Sequence, residues 1–339
     1  MDMRLLGRSG TVVSTYALGT MTFGNESDHG VSHDMLNTYV AAGGNLIDTA
    51  DVYTAGTSEE IIGRWLQSRP EAAREVVLAT KGRFPLGSGP NDAGTSRRHL
   101  RRALEASLRR LGVDHVDLYQ LHAWDPLTPL EETLGFLQDA VREGKISYYG
   151  LSNFTGWQVT KAVYTAREHG WDGPVTLQPQ YNLLEREIES EVVPAALDAG
   201  LGLLPWSPLA GGWLTGKYRR ETVPAGNTRV GDNPARKFQG WDLHSSNERT
   251  WQILDAVKSI AAAHSASPAQ VALAWLAGRP GVSSVILGAR TVEQLTDNLG
   301  AAGVRLSDTE QQKLSDLSRP AVGNYPYGPD GRHQRERRV

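Results

Sequence analysis

The sequence contains no cysteine, which excludes disulfides, thiol catalysis and thiolate metal sites. No apolar run approaches the roughly 18 residues of a transmembrane helix, and the first residues show no signal-peptide pattern. The formal net charge is only −3, so no strong attraction to nucleic acid or to an anionic membrane is expected. We therefore expect a soluble cytoplasmic protein with a small-molecule partner, while the oligomeric state stays open.

Short apolar runs alternate with longer amphipathic segments along the chain. Eight of these runs are strand candidates: Tyr16–Thr20, Asn45–Thr49, Val76–Lys81, Val116–His122, Ser147–Ser152, Thr176–Gln180, Gly202–Ser207 and Ser284–Leu287. Their nearly continuous apolar character is typical of parallel strands buried on both faces. The clearest helix candidates are Ser96–Leu111, Pro129–Val141 and Pro268–Ala277. Eight strands with helical crossovers predict an α/β protein, a single (β/α)8 TIM barrel domain over residues 1–339.

Three further features complete this prediction. Arg4–Ser14 is expected to form a β-hairpin across the bottom of the barrel, turning at Ser9 and Gly10. The stretch from Leu209 to about Asn247, after the seventh strand, has no regular period and predicts a long loop. The Arg-rich tail from about Tyr325 is expected to be frayed. A doubly wound open sheet is the alternative fold, but no G-x-G-x-x-G turn follows the first strand.

Titratable residues stand at the ends of three successive strands. Asp48, Lys81 and His122 end the second, third and fourth strands, and Tyr53 lies in the loop after the second. Each has a structural explanation on its own, because a strand-end Asp often caps a helix and a lone His is more often structural than catalytic. The four together indicate a site for proton transfer to a carbonyl, since neighbouring strand ends lie about 5 Å apart.

The residue types suggest a division of roles. A tyrosine with an ordinary pKa of about 10 donates a proton slowly at neutral pH, and a nearby ammonium such as that of Lys81 is expected to lower this pKa. Asp48 would hold Lys81, and His122 would orient a carbonyl by a hydrogen bond. None of the four is a strong nucleophile here, so we infer a hydride supplied by a reduced nicotinamide cofactor.

Other strand ends offer groups for such a cofactor. Ser152, Asn153 and Gln178 could hold a carboxamide, and Trp206 could stack on the nicotinamide, although a core Trp is an equal alternative. Residues 211–217 resemble a P-loop, but Tyr218 replaces the Mg²⁺-binding Ser or Thr. We reject triphosphatase chemistry and keep pyrophosphate binding.

Arg290 follows the last strand at the start of a predicted helix, where anions bind readily. The planar guanidinium group of Arg290 could form paired hydrogen bonds with a 2′-phosphate, which favours NADP over NAD. The alternative is a solvated residue at a helix start. We expect no metal site, because His29 and His33 lie in a polar loop without carboxylate ligands. The Arg residues of Arg97–Arg110 are expected to form a solvated face.

With these features, the chain resembles the aldo-keto reductase superfamily, and within it the bacterial members related to potassium-channel β-subunits. The resemblance covers residues 3–320, and its carriers are residues 19–24, the Asp48-to-Tyr53 motif, Lys81, Leu121-His122, residues 144–154, 206–209, 214–218 and 288–298. It implies a TIM barrel that binds NADP(H) without a Rossmann fold. It also implies that Tyr53 is the general acid, tuned by Lys81 and Asp48, with His122 orienting the substrate.

The resemblance implies a cofactor-binding set as well: Gly19, Thr20, Met21, Asp48, Ser152, Asn153, Gln178, Trp206, Ser207, Leu209, Gly211, Lys217, Arg229, Gly288, Arg290, Gln294 and Asn298. Two residues depart from the pattern. Trp206 stands where Tyr is frequent, so stacking is kept and a hydroxyl is lost. Asp297 stands where Glu is common, which puts its reach toward the adenine amino group in doubt.

The expected function is NADPH-dependent, reversible reduction of an aldehyde or ketone to the alcohol. The alternative is a redox-sensing regulatory subunit that binds NADP(H) with little turnover. A glycosidase is rejected because no Glu stands at a predicted strand end to supply paired carboxylates. The substrate stays open, with Trp124, Trp213 and Trp241 as candidates for lining an apolar pocket.

Overall fold

A computed structural model describes residues 1–222, 224 and 241–334. Eight parallel strands form one sheet, with neighbours in the order β10, β3, β4, β5, β6, β7, β8, β9. Their bounds are β3 Tyr16–Gly19, β4 Leu46–Asp48, β5 Val77–Gly82, β6 Val116–Leu121, β7 Ile146–Ser152, β8 Thr176–Gln178, β9 Gly202–Leu203 and β10 Val285–Leu287. All eight predicted strands are present.

The sheet curls until its two edges meet. The N–H of Ile286, on β10, donates to the carbonyl of Pro205 just after β9, at 3.0 Å. Leu203 also forms a parallel bridge with Val282. The predicted (β/α)8 barrel is thus confirmed. Strand β9 is shorter than predicted because Pro205 and Pro208 have no N–H to donate to a ladder.

The predicted N-terminal hairpin is also confirmed. Strand β1 (Met3–Leu5) pairs antiparallel with β2 (Val12–Ser14). Leu6 and Val13 are fully buried and pack against apolar side chains of the barrel strands, including Leu46, Leu118 and Ile286. The hairpin therefore covers the barrel at its amino-terminal end, opposite the strand ends that carry the titratable residues.

Helices cover the outside of the barrel. Their bounds are α1 His29–Ala41, α2 Thr57–Ser68, α3 Pro70–Glu75, α4 Arg97–Leu111, α5 Leu130–Arg142, α6 Gly156–Glu168, α7 Val192–Asp198, α8 Trp241–Ser245, α9 Glu248–Ala263, α10 Pro268–Ala277, α11 Val292–Leu299, α12 Asp308–Leu317 and α13 Pro329–His333. The three predicted helices appear as α4, α5 and α10. Helix α4 begins after a Ser96 side chain that accepts the His99 N–H, and it ends at Gly112 in a left-handed conformation. No helix in the described part of the chain is long and apolar enough to cross a membrane.

Several local expectations need correction. His29 and His33 were expected in a polar loop, but both lie on helix α1. The tail is not frayed as far as it is described, because residues 329–333 form α13. The arginines of α4 do not form a purely solvated face, since Arg110 pairs with the buried carboxylate of Glu59 at 2.6 Å. Trp213, a candidate for lining an apolar pocket, is fully buried and stacks on Trp241 at 5.2 Å between ring centroids.

Candidate active site

The ammonium of Lys81 lies at the centre of the four residues singled out from the sequence. Its Nζ donates to Asp48 Oδ2 at 2.6 Å, to the backbone oxygen of Thr49 at 2.8 Å and to the Tyr53 hydroxyl at 3.3 Å. Lys81 is fully buried on β5, and Asp48 ends the neighbouring strand β4. Parallel pairing of β4 and β5 brings the two strand ends together. The barrel thus brings Asp48, Tyr53 and Lys81 into direct contact.

Asp48 is fixed on its other side by two amides. Its Oδ1 accepts from Gln120 Nε2 at 3.1 Å and from Gln178 Nε2 at 2.9 Å. Gln178 therefore supports Asp48 in addition to standing at a strand end. Gln120 was not identified from the sequence. It lies on β6, two residues before His122, and this spacing indicates that both side chains point to the same face of the sheet.

Burial and neighbouring charges shift the pKa values of Tyr53 and Lys81 in opposite directions. Burial raises the pKa of Tyr53 and the Lys81 charge lowers it by less, so the pKa lies above its ordinary value. The Lys81 charge thus lowers this pKa as expected, but burial raises it by more. Burial lowers the pKa of Lys81, but Asp48 and Tyr53 together raise it more. The site therefore holds a neutral phenol beside a charged ammonium.

His122 lies beside the rings of Tyr53 and Phe84. Its ring meets the Tyr53 ring edge-on at 5.9 Å and the Phe84 ring at 4.6 Å between centroids. Burial, followed by the positive charges of Lys81 and Arg83, lowers the pKa of His122 to about 2. The imidazole is thus neutral at physiological pH and can donate a hydrogen bond from one ring nitrogen without carrying charge.

A second group of buried polar residues adjoins Lys81, whose backbone oxygen accepts the Asp51 N–H at 3.1 Å. Asp51 and Glu59 are both fully buried, and Glu59 accepts from Thr80 at 2.6 Å and from Arg110 at 2.7 Å. Burial and the neighbouring Glu59 raise the pKa of Asp51 to about 7. The sequence pattern did not single out these carboxylates, because neither of them is the last residue of a strand.

Residues from three strand ends meet on the other side of His122. Asn153 Nδ2 donates to the backbone oxygen of His122 at 3.0 Å, and its Oδ1 accepts from Trp206 Nε1 at 3.1 Å. Ser152 Oγ donates to the backbone oxygen of Gln178 at 3.0 Å. Trp206 is thereby oriented at the rim of the barrel, where it is half-buried.

The chain after Trp206 turns sharply. Ser207 and Gly211 have positive φ angles of 55° and 66°, and Leu209 precedes a 3-10 helix at Ala210–Thr215. Lys217 is exposed, with Nζ 5.1 Å from the centre of the Tyr218 ring. Arg229, also expected to contact the cofactor, lies outside the described residues.

The last group lies between β10 and α11. Gly288 has open space where a Cβ would be, and its carbonyl accepts from Asn298 Nδ2 at 3.3 Å. The side chain of Gln294 accepts the Arg290 N–H at 3.0 Å, and Arg290 Nε lies 3.7 Å from Glu26 Oε2. The cation of Arg290 thus stands beside the start of a helix.

The end of strand β3 contributes the remaining residues of the expected cofactor-binding set. There is no room for a side chain at Gly19, since a Cβ there would lie 2.6 Å from the Ile286 side chain. Thr20 is buried and bonds the backbone of Asp48 through its N–H at 3.0 Å, while Met21 is partly exposed. These residues, the Trp206 plane and the Arg290 cation lie at the carboxyl-terminal end of one barrel. Aromatic, amide and cationic side chains are thus available at this end of the barrel to hold a nicotinamide cofactor.

Comparison with known proteins agrees with this fold. A sequence profile of the Aldo/keto reductase family matches residues 16–319. The arrangement is thus that of a barrel oxidoreductase, and the chain belongs to the aldo/keto reductase family.

Curated relatives match nearly the whole chain. It is 38% identical to the uncharacterized oxidoreductase YrpG of Bacillus subtilis, over 96% of this chain and 98% of that protein. It is 39% identical to a probable voltage-gated potassium channel subunit beta of Oryza sativa, over 90% and 92% of the two chains. Protein tas of Escherichia coli is 34% identical over 91% and 95%.

Proposed function

We propose that the protein reduces an aldehyde or ketone to the alcohol with NADPH, reversibly. The observation that carries this proposal is the bonding of Lys81 Nζ to Asp48 and to the Tyr53 hydroxyl at once. This arrangement joins a phenol that can donate a proton to a buried cation that stabilises the phenolate left behind.

Each residue has a defined task in the proposed reaction. NADPH, when bound, supplies a hydride to the carbonyl carbon. The carbonyl oxygen accepts hydrogen bonds from Tyr53 and His122, and as it gains negative charge the Tyr53 proton moves to it, because an alkoxide is a stronger base than a phenolate. Lys81 then neutralises the phenolate, and Asp48 holds Lys81 in place. His122, with its pKa of about 2, acts as a neutral donor.

The cofactor is proposed to lie along the strand ends. Trp206 would stack on the nicotinamide, and Ser152, Asn153 and Gln178 would face its carboxamide. Ser207, Leu209, Gly211, Lys217 and Arg229 would hold the pyrophosphate and adenosine side. Gly288, Arg290, Gln294 and Asn298 would hold the adenine ribose and its 2′-phosphate, with Gly19, Thr20 and Met21 beside the reacting end. The Arg290 guanidinium supports NADP(H) over NAD(H). A single domain over residues 1–339 and a cytoplasmic location stay predictions.

The direct test mixes the purified protein with NADPH and 4-nitrobenzaldehyde and follows both loss of NADPH absorbance and formation of the alcohol. We expect one alcohol formed per NADPH oxidised. Absence of turnover on this and on a panel of reactive aldehydes and ketones would contradict the proposal.

The names of several relatives favour a second candidate. Because plant relatives are named as probable channel β-subunits, this protein could instead bind NADP(H) as a regulatory subunit. Tight NADPH binding, measured by quenching of tryptophan fluorescence, with negligible turnover of every carbonyl would favour that function.

A further inference from the structure

Arg83 is a cation near the candidate active site that the proposed reaction does not use. It lies two residues beyond Lys81, and its φ of 144° is strained for a residue other than glycine. Its carbonyl accepts the Gly94 N–H at 2.8 Å, which holds this backbone conformation. Strained positions cluster at functional sites, so this outlier calls for a functional explanation.

The guanidinium of Arg83 lies close to the residues around His122. Its Nη2 donates to the backbone oxygen of Trp124 at 3.3 Å, and its Cζ lies 5.1 Å from the centre of the Phe84 ring. Phe84 in turn contacts the His122 ring. A short chain of contacts therefore connects this cation to the group expected to orient the carbonyl.

Arg83 has N–H groups that form no hydrogen bond among the described residues. A guanidinium carries five N–H groups, and among the described residues Arg83 donates one side-chain hydrogen bond while its buried Nε has no partner. Asp125 is near enough for Arg83 to influence its charge, but its oxygens already accept from the Thr95 N–H at 2.7 Å, the Leu127 N–H at 3.0 Å and Thr128 at 2.7 Å. The described chain thus gives Arg83 no carboxylate partner in contact.

Aromatic side chains form the surroundings of this cation. Trp124 meets Phe154 at 5.4 Å and Trp157 at 5.3 Å between ring centroids, and the Trp157 residue is 58% exposed. A flat apolar body could pack against these rings while its two ends reach polar groups, one at Tyr53 and His122 and the other at Arg83.

We propose that Arg83 binds a carboxylate on the substrate, so that the preferred substrates are aldehydes or ketones with an aromatic or apolar body and a carboxylate. This inference rests on the proposed function. The carbonyl end meets Tyr53 and His122, and the carboxylate pairs with the guanidinium through charge-assisted hydrogen bonds. Lys81 does not compete for the carboxylate, because its charge is buried and paired with Asp48.

The test compares 4-carboxybenzaldehyde with its neutral ester, methyl 4-formylbenzoate, each with NADPH. We expect wild type to show a higher kcat/KM for the acid by about tenfold or more, since a carboxylate forms stronger, charge-assisted hydrogen bonds with a guanidinium than a neutral ester does. Arg83→Gln should lower this acid-to-ester ratio by about tenfold, mainly through KM for the acid. Arg83→Lys, which keeps the charge without the planar fork, should restore part of it.

The matched control is Arg98→Gln, an exposed arginine on the outer helix α4, which should keep the wild-type ratio. An unchanged ratio in Arg83→Gln, or a wild-type preference for the ester, overturns the inference. If the ester and 4-nitrobenzaldehyde are reduced without preference for the acid, only the role of Arg83 fails. If no aldehyde is reduced, the proposed function fails as well.

A wild-type measurement keeps the inference testable even if Arg83→Gln does not fold. Benzoate and benzamide have the same size and differ in charge, so both are measured as inhibitors of 4-nitrobenzaldehyde reduction. Benzoate should compete with the aldehyde about tenfold more strongly than benzamide, and added salt should weaken it. Equal inhibition by the two compounds would overturn the inference.

Discussion

At the scale of single residues, the site depends on charges that the barrel hides from water. Lys81 is buried and still charged because Asp48, a backbone oxygen and the Tyr53 hydroxyl surround its ammonium. An unpaired buried charge would cost several kcal/mol. The same burial keeps Tyr53 protonated and His122 neutral, which are the protonation states that the proposed carbonyl reduction needs.

Asp51 gives a residue-scale prediction about stability. Its pKa rises from 3.8 in the unfolded chain to about 7 in the folded one, so its stabilising contribution is complete below the unfolded value and is lost as pH rises through 7. Asp51→Asn should therefore gain free energy of unfolding relative to wild type between about pH 5 and about pH 8.5, by about 3 kcal/mol. Urea unfolding at both pH values measures this change.

The control for that experiment is Asp114→Asn, whose carboxyl is exposed on a surface turn. Its free energy of unfolding should stay within about 0.5 kcal/mol of the wild-type value at both pH values, because substitutions of exposed side chains usually change stability little. An Asp51→Asn difference that stays constant between the two pH values would show that Asp51 is charged in the folded protein throughout this range.

These residues also show what sequence could and could not predict. Asp48, Lys81 and His122 were predictable because parallel strands present their ends at one edge of a barrel. The pKa of Tyr53 was not, because its direction depends on how completely packing excludes water. Gln120, Glu59 and Arg83 escaped notice because their importance arises from side-chain contacts between separate elements.

At the scale of elements, the N-terminal hairpin shows how closely the barrel is sealed. Gly7 lies in the hairpin turn with a φ of +57°, and a Cβ there would lie 2.0 Å from the Val175 oxygen on the barrel. Gly7→Ala should lower the free energy of unfolding by more than about 2 kcal/mol, because backbone strain and steric overlap add. Urea denaturation measures the loss.

Gly144→Ala separates these two contributions. Gly144 has a φ of +71° and open space around a Cβ, so its replacement should cost only about 1 kcal/mol for the left-handed conformation. Equal losses at the two positions would mean that the hairpin does not pack closely against the barrel.

The element pattern was largely predictable, and the exceptions have physical causes. All eight barrel strands and the hairpin were expected, because continuous apolar runs and a Gly-containing turn are local signals. Strand β9 is shorter than its apolar run because proline cannot join a ladder. Helix α13 was missed because a polar, Arg-rich segment carries no apolar period.

At the scale of the whole molecule, the proposed cofactor extends along the barrel rim from Trp206 to Arg290. Arg290→Met should weaken NADP⁺ binding about tenfold or more, because a charge-assisted contact to the 2′-phosphate is lost, and should change NAD⁺ binding little. Quenching of tryptophan fluorescence by each nucleotide measures both affinities.

Arg305→Met serves as the control, since this exposed arginine pairs with Asp2 away from the rim and should leave both affinities unchanged. Equal weakening of NADP⁺ and NAD⁺ binding in Arg290→Met would assign Arg290 a general role rather than recognition of the 2′-phosphate.

The central claim, that Tyr53 delivers the proton, is tested most directly by kcat/KM for 4-nitrobenzaldehyde with NADPH in Tyr53→Phe. We predict a fall of roughly 10²–10⁴-fold with NADPH affinity retained, because a positioned acid contributes about that much. Tyr164→Phe, which alters a tyrosine that is 55% exposed, should behave as wild type. Wild-type kcat/KM in Tyr53→Phe would contradict the account.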